Sequence, residues 1–143
     1  MPSTLETLER RLRHAPSFFR FAIVGGIATT VDFFFFNIVL GGSGDPSTPH
    51  LLAAATTGFI FATYSSYQLN SRFTFHAARS NTTLGRYMGI AIGGLLIHNA
   101  TLLMLRDGLH PSTVIELNAV KLGALGAAMI WNYFGYRHLA FRA

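Results

Sequence analysis

The chain has 143 residues, is half hydrophobic and only 12% charged, and carries a net charge of +5. Its mean hydropathy is +0.37 and its pI near 10.2. A soluble domain holds about twice that charge density, so the composition argues against a disordered chain, a coiled coil and an ordinary cytosolic enzyme, and the length fits one domain.

Residues 1–16 form an acidic-basic segment with Arg10, Arg11 and Arg13. The apolar run starts only near residue 18 with no small-residue cleavage site behind it, so a retained first helix is expected rather than a signal peptide. Leu5, Leu8 and Leu12 share one face of a short helix. Residues 3–14 therefore read either as a helix lying on the membrane surface or as a frayed tail.

Charge spacing then predicts the membrane domain, residues 17–143. Asp32 is the single charge between Arg20 and Asp45, 26 uncharged residues separate Asp45 from Arg72, and 19 separate Arg86 from Arg106. Between Glu116 and Arg137 there is only Lys121. A hydrocarbon core of about 30 Å takes about 20 helical residues, so each window holds one span. The predicted helices are Phe19–Leu40, Leu51–Asn70, Arg86–Leu105 and Val114–Tyr136. Turn signals at Gly41-Gly42-Ser43-Gly44-Asp45-Pro46 and Asp107-Gly108-Leu109-His110-Pro111 separate the members of each pair. Thr113 and Glu116 have the spacing of a capping box, which reads Glu116 as a helix cap.

Nine arginines fall in the amino-terminal segment, the loop after the second helix and the tail, against one, Arg106, in the other two loops. That positive-inside bias predicts both termini on the cytoplasmic side. It also accounts for the high pI without a nucleic-acid partner. The absence of cysteine excludes a disulfide framework and thiolate metal sites, and no metal or cofactor is expected.

Shifting the sequence by 66 residues lays Arg20-Phe21 on Arg86-Tyr87, Asp32 on His98, Ser66-Tyr67 on Asn132-Tyr133 and Phe75 on Phe141. A shift of 65 lays Pro46-Ser47-Thr48 on Pro111-Ser112-Thr113 and Gly58 on Gly123. The halves, 17–76 and 83–142, thus read as a parallel repeat of one helical hairpin, with one residue inserted in the fourth helix. Parallel repeats recur in transporters.

Asp32 stands near the middle of the first helix, where a carboxylate costs roughly 2.5–3.5 kcal/mol to insert. It is expected to face the bundle interior, in a polar cluster with His98, Lys121 and the amide of Asn132. The cluster reads either as a headgroup or proton site or as an interhelical pair that fixes packing. Asn37, Asn99 and Asn118 extend it as a polar track. At the cytoplasmic ends, Asn70-Ser71-Arg72-Phe73-Thr74-Phe75 and Asn132-Tyr133 to Arg137-His138 join Arg20 and Arg86 in a ring of basic positions. Arginine offers a planar fork to phosphate, so Arg20, Asn70, Arg72, Arg86, Arg137 and His138 are candidate lipid-phosphate ligands, against ordinary anchoring by snorkelling. No phosphate loop, HExxH or nucleophile elbow is present, and a non-enzymatic role is expected.

Arg20-Phe21-Ala22-Ile23-Val24-Gly25-Gly26 with Asp32, the Asn70 to Phe75 ending, Arg86-Tyr87 and Trp131-Asn132-Tyr133 to Arg137 resemble the GtrA-like family of small bacterial membrane proteins over residues 17–142. The resemblance implies cell-surface polysaccharide synthesis and movement of polyprenyl-phosphate-linked sugars across the cytoplasmic membrane, or assistance to the glycosyltransferases that make or use them. It marks Asp32, Asn70, Arg72, Phe73, Asn132 and Arg137. The second ending departs from the family pattern at His138, Leu139 and Ala140, which breaks the symmetry of a second phosphate site.

Three functions follow as expectations: binding and translocation of a polyprenyl phosphate or its sugar conjugate, anchoring of a membrane glycosyltransferase, or small multidrug export. The charge bias opposes the third, because dual insertion needs balanced loops. With little interior room in four helices, a homo-oligomer is expected, a dimer first.

Overall fold

The computed structural model describes residues 3–7, 10, 16–78 and 80–141. Leu8, Arg11, Leu12, Arg13, Arg79 and Arg142, on which the surface-helix expectation and part of the arginine count depend, lie outside them. Among the described residues the chain is all helix and turn, without strands. Four long helices run in order: α1 Ser17–Leu40, α2 Thr48–Leu69, α3 Asn81–Leu109 and α4 Val114–Gly135. The closest packing is within two antiparallel hairpins, α1 with α2 and α3 with α4, while α1 meets α4 over a shorter stretch.

Local signals set the ends. Gly41 stops α1 at φ 66°, its N–H bonding the Asn37 carbonyl at 3.1 Å, a left-handed position that glycine reaches without strain. α3 starts five residues before Arg86, because Ser80 accepts from the Thr83 N–H at 3.1 Å and caps a polar first turn. It also runs through Asp107-Gly108, expected as a turn, and ends where His110 turns left-handed at φ 50°. At α4 the capping box is formed: the Glu116 N–H reaches Thr113 Oγ1 at 3.2 Å, and Glu116 Oε2 accepts from the Thr113 and Ser112 amides at 3.2 and 2.8 Å. Thr113→Ala is expected to cost about 1 kcal/mol, measured as a lower unfolding midpoint in detergent.

Both hairpins close with the same device. α2 and α4 each have 22 residues, and each runs into a five-residue π-helical turn, Asn70–Thr74 and Tyr136–Ala140. In each turn an N–H reaches back five residues at 2.9 Å, Phe75 to Asn70 and Phe141 to Tyr136. Start and end of the two elements stand 66 residues apart, so no residue is inserted within α4. The change of register lies in the outer turns, since α1 ends at Leu40 and α3 at Leu109.

Among the described residues three helices are long and apolar enough to cross a membrane: Ser17–Leu40, Asn81–Leu109 and Val114–Ala140. α2 carries no charged residue and falls below them through its hydroxyls. Thr56, Thr57, Thr63, Ser65 and Ser66 lower its hydropathy, and several are folded onto their own helix: Thr57 donates to the Ala53 carbonyl at 2.8 Å and Ser65 to Phe61 at 2.9 Å.

Two apolar clusters form the core. One gathers Phe36, Leu40, Leu51, Leu102, Leu117 and Val120 at the end with the two short turns. The other gathers aromatic rings at the opposite end, with Phe21, Tyr67, Tyr87, Tyr133, Tyr136 and Phe141 buried together.

Candidate functional site

Asp32, His98 and Lys121 are each at most 1% exposed. Asp32 stands twelve residues beyond Arg20, roughly 18 Å along the axis at about 1.5 Å per residue. At that depth no bulk water is available to compensate a charge. The compensation is internal: Lys121 Nζ lies 2.8 Å from Asp32 Oδ1, 3.4 Å from His98 Nε2, and 4.8 Å from the centre of the Phe36 ring. An ammonium has only protons to give, so Nε2 of His98 accepts. Its Nδ1 then carries the proton and donates to Asn99 Oδ1 at 3.1 Å. Asn99 in turn donates to Thr56 Oγ1 at 3.5 Å. The network crosses from α1 to α4 to α3 to α2 and ties all four helices at one level.

Helix α1 comes close enough for this because Gly58 on α2 has no side chain. A Cβ at that position would run into the Asp32 carboxylate and its backbone carbonyl.

The expected fourth member, Asn132, stands apart. It lies eleven residues along α4 from Lys121, about 16 Å, and packs against Gly94, where an added Cβ would meet its Oδ1. The polar track divides likewise. Asn37 and Asn118 bond each other reciprocally at 3.0 and 3.1 Å, while Asn99 belongs to the network above. These amides join helices.

A cavity of about 200 Å³ opens between α1 and α4, with Phe59, Ala62, Thr63 and Ser66 of α2 also on its wall. Asp32 lines its deep part, and Asn70, Asn132 and Tyr136 line the part toward the π turns. Asp32 Oδ2 is buried and receives no hydrogen bond from the described residues.

The six candidate phosphate ligands sit at the end of the bundle where α1 and α3 begin and α2 and α4 finish, but in different states. Arg20 is half-buried. Its Nη1 donates to the Phe73 carbonyl at 3.1 Å and meets His76 Nε2 at 2.6 Å, while its Nε is buried without an acceptor. Asn70 is buried and engaged, donating to Tyr87 Oη at 3.3 Å and accepting from Thr74 Oγ1 at 2.7 Å, which leaves one amide proton for a ligand. Arg72 and Arg86 are exposed. Arg137 donates to Tyr133 Oη at 2.9 Å. His138 stacks on Phe134 at 6.3 Å and shares a surface groove with Arg86. The opposite end carries Arg106, whose charge Asp107 meets at 2.9 Å.

Sequence reasoning missed His76, which braces Arg20, and the ring contacts that close this end. Phe75 stacks on Phe141 at 4.9 Å and Tyr87 on Tyr136 at 3.7 Å. The repeat held a signal for the first pair, since Phe75 and Phe141 are shift partners. Among the described residues no cluster of His, Asp or Glu is able to hold a metal ion.

A family model described as GtrA/DPMS, transmembrane domain, matches residues 20–141. No curated protein matches the chain, and no solved structure does.

Proposed function

Because the chain belongs to the GtrA/DPMS transmembrane-domain family, and so is a membrane protein of polysaccharide or glycolipid synthesis, we propose that it binds polyprenyl phosphate or its sugar conjugate and carries it across the cytoplasmic membrane. The observation that carries this proposal is Arg20: a guanidinium held in place by Phe73 and His76, with a buried N–H that lacks an acceptor. A buried donor left unmatched is costly, and a phosphate oxygen is a strong match for it. Arg72, Arg86 and Arg137 share that end of the bundle, so a lipid phosphate arriving there meets several cations. The prenyl chain stays in lipid beside exposed Phe34 and Ile38.

In this proposal α2 spans the membrane as well, giving four spans with both termini cytoplasmic. The gathering of arginines at one end, against a single arginine with Asp45, Asp107 and Glu116 at the other, and the uncharged length of α2 support it. The hairpins are a parallel repeat, a reading supported by the paired π turns and by ring contacts that exchange under the 66-residue shift: Phe21 with Tyr133 at 5.1 Å, Tyr67 with Tyr87 at 5.2 Å. The working unit is a homodimer.

The test is binding of polyprenyl phosphate to the protein in nanodiscs. Arg20→Ala is expected to weaken it about ten-fold or more, the worth of a charge-assisted hydrogen bond, with Arg72→Ala weakening it less. In liposomes a labelled polyprenyl-phosphate sugar is expected to become accessible from outside only when the protein is present. Binding indifferent to both substitutions, with no change in accessibility, would sink the proposal.

The anchoring alternative draws on the Asp32–Lys121 pair, which is already neutral and needs no ligand. It predicts a stable complex with a membrane glycosyltransferase on pull-down and no transport by the protein alone.

A further inference from the structure

The cavity between α1 and α4 differs in chemistry from the arginine end. Its wall contains one charged side chain, the carboxylate of Asp32, and no lysine, arginine or histidine. Lys121 lies behind that carboxylate, fully buried and outside the cavity wall. The other polar groups on the wall are neutral: Thr29, Thr63, Ser66, Asn70, Asn132 and Tyr136. A phosphate entering here would face the carboxylate side of an already compensated ion pair and find no cation on the wall to match its charge, and a buried charge left unmatched is costly. A hydroxyl would find the reverse. Asp32 Oδ2 is an ionic acceptor, 99% removed from solvent and without a donor, and the neutral lining can give and take hydrogen bonds around it.

The rest of the wall is apolar and flat-sided, with Phe21, Phe59, Leu125 and Met129 beside Gly25 and Gly126. A sugar ring has that mixed character, with hydroxyls at its edge and C–H faces. The volume of about 200 Å³ falls below the roughly 300–1,000 Å³ of sites for drug-sized ligands, which suits a single ring.

The matching seam between α2 and α3 is bridged by direct hydrogen bonds. Ser66 bonds Tyr87 Oη across it at 2.6 Å and Asn99 reaches Thr56.

We propose that the α1/α4 cavity is a subsite for an uncharged, hydroxyl-bearing headgroup, a single glycosyl ring, and not for the phosphate. This rests on the lipid-binding function proposed above and goes further by separating sugar conjugate from bare lipid. The phosphate stays at the arginines, and the sugar enters the seam.

Polyprenyl phosphate and its monosaccharide conjugate, titrated separately against the protein in nanodiscs, test this. The wild type is expected to bind the conjugate about ten-fold tighter, the worth of roughly one added hydrogen bond to an ionic acceptor. Gly126→Leu sets a branched side chain at the cavity wall, where an added Cβ meets nothing within 4 Å, and is expected to bring the ratio of the two affinities to about one. Asn132→Leu removes a polar wall group and is expected to lower the ratio too. Equal affinities in the wild type, as for a cavity that holds only water, or a ratio unchanged in Gly126→Leu, would overturn the subsite while leaving phosphate capture standing. Failure of both lipids to bind the wild type would overturn the lipid-binding function and the subsite together.

Discussion

Asp32→Leu is expected to lose on the order of 3–5 kcal/mol of stability in detergent, because it strands Lys121 as an unpaired buried cation. The ammonium would keep only the His98 nitrogen and the Phe36 ring, neither of which carries a negative charge. Asp32→Leu combined with Lys121→Met should recover most of that loss, since exchanging both members of a buried pair for apolar residues is often neutral or better. Unfolding midpoints of the two single variants and the double variant form a cycle with a large coupling term. A single Asp32→Leu protein as stable as wild type would show that the pair contributes nothing to the fold. The double variant also separates the two roles open for this carboxylate. If it folds and still moves the labelled lipid at the wild-type rate, Asp32 is packing alone. If it folds and has lost discrimination for the sugar conjugate, the carboxylate is part of the site.

Helix positions were legible because a membrane leaves few options for uncharged runs of this length. The charge-free windows place α1 and α4 within two residues of the observed bounds. They misplace the start of α3, where Ser80, Asn81, Thr82 and Thr83 continue the helix as a polar first turn, outside any hydropathy signal. Depth was legible too. Asp32, His98 and Lys121 lie at one level, and counting residues from the arginines was enough to expect it. Rotation about the helix axis was not. Asn132 falls outside the cluster on depth, eleven residues or about 16 Å from Lys121 along α4, but that it meets Gly94 there depends on how α4 rolls against its neighbours, and α4 has small residues on several faces. The asparagines carried the same ambiguity: an amide in a span bonds whichever helix comes near, and here Asn37 and Asn118 find each other. Gly58 shows how matched letters mislead. The shift of 65 pairs it with Gly123, but the residue 66 positions on, in step with the helix bounds, is the buried Ala124. Gly123 is exposed and faces Leu105. The glycine at 58 answers a demand of Asp32, and no carboxylate stands at the partner site.

That demand sets the second large effect. Gly58→Ala adds one methyl group where the Asp32 carboxylate and backbone carbonyl already stand. Overpacking of this kind costs about 1–3 kcal/mol, and the upper end is expected here, because neither obstacle yields easily. The carbonyl belongs to the α1 backbone, and the carboxylate is held by Lys121 at 2.8 Å. Relief requires α1 to move away from α2, which carries Asp32 with it and reshapes the wall of the α1/α4 cavity. Gly85→Ala is the matched control. It lies in a helix with nothing within 4 Å of an added Cβ, and alanine there gains up to about 1 kcal/mol of helix propensity. Unfolding midpoints in detergent should therefore move in opposite directions for the two substitutions. A Gly58→Ala midpoint equal to that of Gly85→Ala would mean that α1 and α2 have slack between them, and the ion pair would then owe its position to α4 rather than to the hairpin.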